Sequence, residues 1–178
     1  MLQETYQKAI KFAGEKHANQ KVPGSEANYV VHLSNVAMEI LVAYNEEANF
    51  DIDFAVQLAI LHDVLEDTDT TLLELEKHFG EKVSEGILAL TKSKELKSKQ
   101  EQISDSLSRI NLLEKEVGLV KLADRITNLQ EPPNHWDKER IKTYLEEAKY
   151  IAKKLKSKNR YLNKRLLQCI FNYENYTK

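Results

Sequence analysis

Cysteine is almost absent from this sequence. The one thiol, Cys169, excludes an internal disulfide and fits a reducing compartment. Proline and glycine are also scarce, at three and five in 178 residues. That scarcity favours long helices joined by short loops. No apolar run is long enough to span a membrane. The N-terminal "MLQETYQKAIKF" is polar and periodic, without the apolar stretch of a signal peptide. The expectation is a cytoplasmic protein with no membrane association. Strand-type alternation is nearly missing too, which excludes a sheet-based core.

What recurs instead is helical spacing. Tyr6, Ala9, Ile10 and Ala13 fall on one stripe. Val36, Ile40 and Ala43, flanked by Ala37, Leu41 and Tyr44, fall on another. Asp53 is placed to cap a helix running through "FAVQLAILHDVL". "TDTTLLELEKHFG" reads as a capped short helix closed by Gly80, with His78 as a C-terminal cap. "KSKELKSKQEQISDS" is the least patterned stretch and reads as a loop ahead of a helix from about Leu107. "GLVKLADRITNLQ" is amphipathic and stops at Pro132 and Pro133. Two more helices close the chain. The expected architecture is all-α: one bundle-like domain over residues 1–178 with roughly eight to ten helices.

A net charge of -2 conceals a split. Residues 1–137 carry 14 Lys and Arg against 24 Asp and Glu, whereas residues 138–178 carry 12 against 4. Such a split fits a nucleic-acid tail, cations complementing an anionic ligand, or a solvated helix face docked on an acidic body. The basic segment has no recognisable nucleic-acid motif and the rest is acidic, so no nucleic-acid partner is expected. The oligomeric state is not encoded in any pattern.

The chemistry concentrates in "LAILHDVLEDTDTT". An apolar helix face there meets His62, Asp63, Glu66 and Asp67. His62 and Glu66 are four apart, as are Asp63 and Asp67, so two polar pairs stack on the helix end. A helix C-terminus disfavours added carboxylates, and a divalent cation is the economical compensation. His32 in "YVVHLSNVA" and Asp124 in "VKLADRITNL" sit in apolar surroundings, where an Asp is rarely buried unpartnered. Two histidines with carboxylates suit Mn²⁺, Fe²⁺ or Zn²⁺ better than Mg²⁺ or Ca²⁺. Any one of these residues alone reads more readily as a hydrogen-bonded core or surface group. The weight lies in the joint pattern.

That pattern, "H…HDVLEDT…KLADRITNL", resembles the HD-domain metal-dependent phosphohydrolases, and among them the RelA/SpoT-type guanosine tetraphosphate (ppGpp) hydrolases. "AIKFAGEKHANQK" is similar to the opening helix and loop of that family, and the resemblance extends over nearly the whole chain. It implies that His32, His62, Asp63 and Asp124 hold one metal ion, usually Mn²⁺. Glu66 and Asp67 match the carboxylates that orient and deprotonate the attacking water. Asn128, Lys21, Arg140 and Tyr144 match substrate contacts. Lys121 and Arg125 are candidate neutralisers of phosphate charge. The implied activity is hydrolysis of the 3′-pyrophosphate of the guanine nucleotide alarmone (p)ppGpp, to GDP or GTP and pyrophosphate, by a stand-alone hydrolase. The alternatives are an HD-type phosphatase or pyrophosphohydrolase of another nucleotide, such as NADPH, and a non-catalytic alarmone-binding module. The sequence departs from the family at "EANY", where Gly-(Thr or Glu)-Pro-Tyr is usual. It departs again where a basic pair is reduced to Lys21 followed by Val22.

Overall fold

A computed structural model describes residues Met1–Lys178. Ten α-helices follow one another: α1 Leu2–Lys16, α2 Val30–Glu46, α3 Ile52–Leu61, α4 Val64–Asp67, α5 Leu72–Phe79, α6 Glu81–Leu90, α7 Lys99–Leu112, α8 Lys115–Asn128, α9 Lys138–Lys154 and α10 Arg160–Tyr173. A 3-10 turn, Glu174–Thr177, ends the chain. The only extended pairing is an isolated bridge between Lys21 and Asn28, which pins the loop joining α1 to α2. The all-α expectation holds.

Two helices form the axis of the molecule. In α3, every residue from Phe54 to Leu61 except Gln57 is buried. α1, α2, α6 and α8 pack around it. α8 is buried from Glu116 to Ile126 except at Lys121, among α2, α3, α6, α7, α9 and α10. It is therefore a core helix, buried on more faces than the amphipathic pattern of its sequence implied. A helix buried on all sides belongs to the centre of a domain. One contiguous apolar core runs from Ala9 and Ala13 in α1 to Leu162, Leu166 and Tyr173 in α10.

Local signals explain most element ends, with three corrections. The N-cap of α3 is Asp51, whose carboxylate accepts from Phe54 N at 3.0 Å. Asp53 sits in the first turn and accepts instead from Thr5 Oγ1 at 3.0 Å. α7 starts at Lys99, well before Leu107, because Ser98 and Glu101 form a reciprocal capping box. Gly80, at φ +86°, closes α5, and His78 packs its ring on Phe12 at 5.3 Å between centroids.

The helix through "FAVQLAILHDVL" is also interrupted. Imidazole Nδ1 of His62 lies 2.8 Å from the Ala59 carbonyl. An unbroken helix would give that carbonyl to the N–H of Asp63. With the acceptor taken by a side chain, α3 ends at Leu61. Asp63, at φ -103° and ψ -2°, then starts α4. This turn places His62 and Asp63 together at the junction of two helices, where a straight helix would have stacked them along one face.

Candidate active site

Four elements bring the sequence-predicted ligands together. His32 lies in the first turn of α2, His62 ends α3, Asp63 begins α4 and Asp124 lies in the last turn of α8. The Nε2 atoms of His32 and His62 are 3.3 Å apart. Asp124 Oδ1 is 3.6 Å from the first and 3.7 Å from the second. Asp63 Oδ2 is 2.9 Å from His62 Nε2 and 3.7 Å from His32 Nε2. Ligand atoms of His32, His62 and Asp124 all lie within 4.8 Å of one another and are buried.

The donor set fits a divalent ion. Two imidazole Nε2 atoms 3.3 Å apart either share one proton in an N–H···N hydrogen bond or, with neither protonated there, turn both lone pairs to one cation. The Nδ1 of His62 is directed to the Ala59 carbonyl, which leaves Nε2 for the ion. Charge balance points the same way. Burial opposes a charge on His62, yet the Asp63 and Asp124 carboxylates outweigh it and push the imidazole up to about 10. Burial also opposes a charge on Asp63, and the His62 imidazolium holds that carboxyl below the ordinary range. Asp124 is likewise buried, and Lys121 and the two histidines hold it well below that range. The pocket stabilises positive charge at its centre.

A surrounding set of groups fixes these ligands. Lys121 Nζ donates to Asp124 Oδ2 at 3.1 Å, and Asn128 Nδ2 donates to Asp124 Oδ1 at 2.5 Å. Both residues therefore orient a ligand as well as facing the cavity. Tyr29 OH donates to Asp63 Oδ2 at 2.5 Å. Burial, reinforced by the charge of Asp63, raises the Tyr29 hydroxyl far above the usual phenol range, so it stays protonated and donates to that carboxylate. Tyr29 was not singled out from the sequence. It is the one residue of "EANY" that keeps the family pattern.

The predicted catalytic carboxylates differ in their surroundings. Glu66 is clamped: Oε1 accepts from Lys92 Nζ at 2.9 Å, and Oε2 accepts from Lys92 N at 3.2 Å. Asp67 accepts a single hydrogen bond, from Gln20 Nε2 at 2.8 Å. Partial loss of water raises the Asp67 carboxyl above its ordinary value. Gln20 opposes this, and the charges of Asp63 and Glu66 add to it.

These groups line a two-lobed cleft. One lobe, of about 500 Å³, holds Asp63, Glu66, Asp67 and Asp124 on one side. Lys92, Lys94, Lys99, Lys121, Arg125 and Arg140 line it as well, with Glu147 beside Arg125. The other lobe, of about 450 Å³, lies under the loop from Val22 to Ala27 and is reached by His32 and Asn35. Asn128, Trp136 and Tyr144 face both lobes. Arg140 lies over the Trp136 ring at 4.3 Å, and Arg125 over Tyr144 at 4.2 Å. Burial pushes the Tyr144 hydroxyl up to about 12. Arg125 is buried, with Nε and Nη1 lacking any partner. Lys21 is placed elsewhere: it is paired with Glu26 on an exposed bridge and lines neither lobe. Lys92, Lys94 and Lys99 were missed from sequence. Their signal was the lysine run beside the Ser98 capping box.

An HD domain profile matches residues 9–159 of this chain. The chain belongs to the HD domain family. Among its relatives is guanosine-3′,5′-bis(diphosphate) 3′-pyrophosphohydrolase MESH1 of Danio rerio, 34% identical over 164 residues, covering 89% of this chain and 88% of the relative. The MESH1 protein of Homo sapiens is 34% identical over 163 residues, covering 89% and 88%. A guanosine-3′,5′-bis(diphosphate) 3′-pyrophosphohydrolase of Aquifex aeolicus is 38% identical over 130 residues, which are 71% of this chain and 18% of that longer protein. Among solved structures, a metazoan ortholog of SpoT described as hydrolysing ppGpp matches with a TM-score of 0.80 at 29% identity, covering 94% of both chains. The His32, His62 and Asp124 cluster, which could hold a metal ion, lies within the matched residues. No helix is long and apolar enough to cross a membrane.

Proposed function

We propose that this protein is a Mn²⁺-dependent hydrolase of (p)ppGpp that removes the 3′-pyrophosphate as a unit and leaves GDP or GTP. One observation carries the reading. The buried His32, His62 and Asp124 cluster adjoins a cavity lined by Asp63, Asp124 and six cationic side chains, of which Lys94, Lys99 and Arg140 have no carboxylate partner. Extended similarity to two MESH1 hydrolases supports the same substrate.

His32, His62, Asp63 and Asp124 would hold the ion. When bound, it supplies Lewis acidity to a phosphoryl oxygen and acidifies a water. Asp67 takes the proton of the attacking water, because its raised affinity for a proton and its lack of a cationic partner suit it to that task. Glu66, fixed by Lys92, orients the same water. The water oxygen bonds to the phosphorus attached to the ribose 3′ oxygen, and the bond from that phosphorus to the 3′ oxygen breaks. The 3′ oxygen regains a proton as pyrophosphate leaves. Lys94, Lys99 and Arg140 bring positive charge to the phosphates, and Arg125, whose Nη2 lies 3.5 Å from Glu147 Oε2, lines the same cavity. Asn128 and Tyr144 stand between the two lobes, where the nucleoside would cross.

The test is incubation of the purified protein with ppGpp and Mn²⁺, with the products resolved by chromatography. GDP and pyrophosphate are expected. Orthophosphate as first product, or inactivity on ppGpp beside rapid hydrolysis of NADPH, overturns the reading in favour of another nucleotide phosphohydrolase. Binding without any product would make the protein an alarmone-binding module.

A further inference from the structure

A chain of side chains outside the ligand cluster ends on Asp67. His17 follows α1 and is 1% exposed, with its ring 4.9 Å from that of Tyr29. Its Nδ1 lies 2.6 Å from Gln20 Oε1, and Gln20 Nε2 lies 2.8 Å from Asp67 Oδ2. The direction of the chain follows from its end. A carboxylate only accepts, so Gln20 turns its NH₂ to Asp67 and its carbonyl to His17. His17 then carries its proton on Nδ1. Its Nε2 is buried with no partner, and in this tautomer what is buried there is a lone pair and not a stranded N–H.

The backbone at Gln20 is fixed independently. Its N–H donates to the His17 carbonyl at 3.0 Å, and its own carbonyl accepts from Tyr29 N at 2.9 Å. The bridge between Lys21 and Asn28 locks the next residue. The amide is thus held at the backbone and at its oxygen, and its remaining donor points at Asp67. Asp67 is otherwise free on the side-chain level, at the mouth of the cavity. An amide is also the right group for this contact. A lysine there would hold the carboxylate equally well but would lower its affinity for a proton.

We infer that Gln20, oriented by His17, is a positioning residue that holds the Asp67 carboxylate toward the attacking water. The inference rests on the reading of Asp67 as proton acceptor. It uses two residues, a buried histidine and a loop glutamine, to which the ligand cluster and the phosphate-facing cations assign no part.

The experiment uses the Mn²⁺-loaded protein and ppGpp. Gln20→Met removes both amide bonds at similar length. His17→Phe keeps a ring against Tyr29 and removes the Nδ1 donor. Each should lower kcat on the order of 10-fold, with KM and bound metal unchanged, as expected when an interaction acts in the transition state only. The double variant should be no worse than Gln20→Met, because both act through one contact. Gln20→Asn, whose shorter arm cannot span His17 and Asp67, should match Gln20→Met and provides the test if His17→Phe does not fold. Additive losses in the double variant would overturn the coupling. So would unchanged kcat with raised KM, or near-normal kcat in Gln20→Met and Gln20→Asn while Asp67→Asn is inactive. Normal turnover in Asp67→Asn would remove the proton-acceptor reading itself, which separates that failure from the failure of the positioning role.

Discussion

Asp63 answers to three neighbours at once: Tyr29 OH, His62 Nε2 and His32 Nε2 all lie within 3.7 Å of its Oδ2. Asp63→Asn removes the charge and keeps the shape. Metal content by atomic absorption should fall, and turnover should vanish with it. Asp67→Asn should behave differently: metal and KM are retained while kcat falls on the order of 10²-fold or more, the scale of a lost general base. Glu66→Gln also breaks the ion pair to Lys92, so its kcat loss should come with a looser loop after α6. The candidate ligands stood out in the sequence because His or Asp in an apolar run announces a partner. Gln20, Tyr29 and Trp136 did not, because neutral or aromatic side chains carry no such anomaly. The meaning of Gln20 and Tyr29 arises only when residues 17–29 fold back on α4, and that of Trp136 only when Arg140 lies over its ring. Lys21 was over-read for the reverse reason: its charge is satisfied locally by Glu26.

At the scale of elements, helix existence was legible from apolar spacing, and helix ends were less so. The break between α3 and α4 depends on a histidine side chain taking a backbone carbonyl, which periodicity does not encode. The early start of α7 was encoded, as the Ser98 and Glu101 pair, but the lysine-rich surroundings masked it. That start matters, because α7 carries Lys99 and Gln102 to the cavity wall. Ser98→Ala should destabilise the protein by about 1 kcal/mol, the usual cost of a lost N-cap, which is roughly 2–4 °C in Tm for a chain of this size. Because the frayed turn is the one that holds Lys99, KM for ppGpp should rise while kcat changes little. Thermal melts and steady-state kinetics on the same preparation check both halves. An unchanged KM would detach the first turn of α7 from substrate binding.

For the whole molecule, the charge split has little to do with the cavity. Of the cations lining the cavity, only Arg140 comes from residues 138–178; the others stand at positions 92–125. Arg165 pairs with Glu39, and Lys149 with Glu146 and Glu174. Of the segment's cations, Arg165 alone forms an ion pair with the acidic body and Arg140 alone lines the cavity, so neither reading accounts for most of its charge. Ion binding should also be felt globally, since the ligands come from α2, α3, α4 and α8 and are dispersed in the unfolded chain. At 100 times Kd, Mn²⁺ should stabilise by about 2.7 kcal/mol, or roughly 5–10 °C in Tm, and a chelator should reverse the shift. The central position of α8 gives this effect a local clock. Its amides lie inside packed helices on nearly every side, so their hydrogens reach deuterated solvent only when the whole fold opens. Under the same Mn²⁺ excess, their exchange lifetimes should lengthen on the order of 100-fold, while those of the exposed turn Glu174–Thr177 keep their metal-free values.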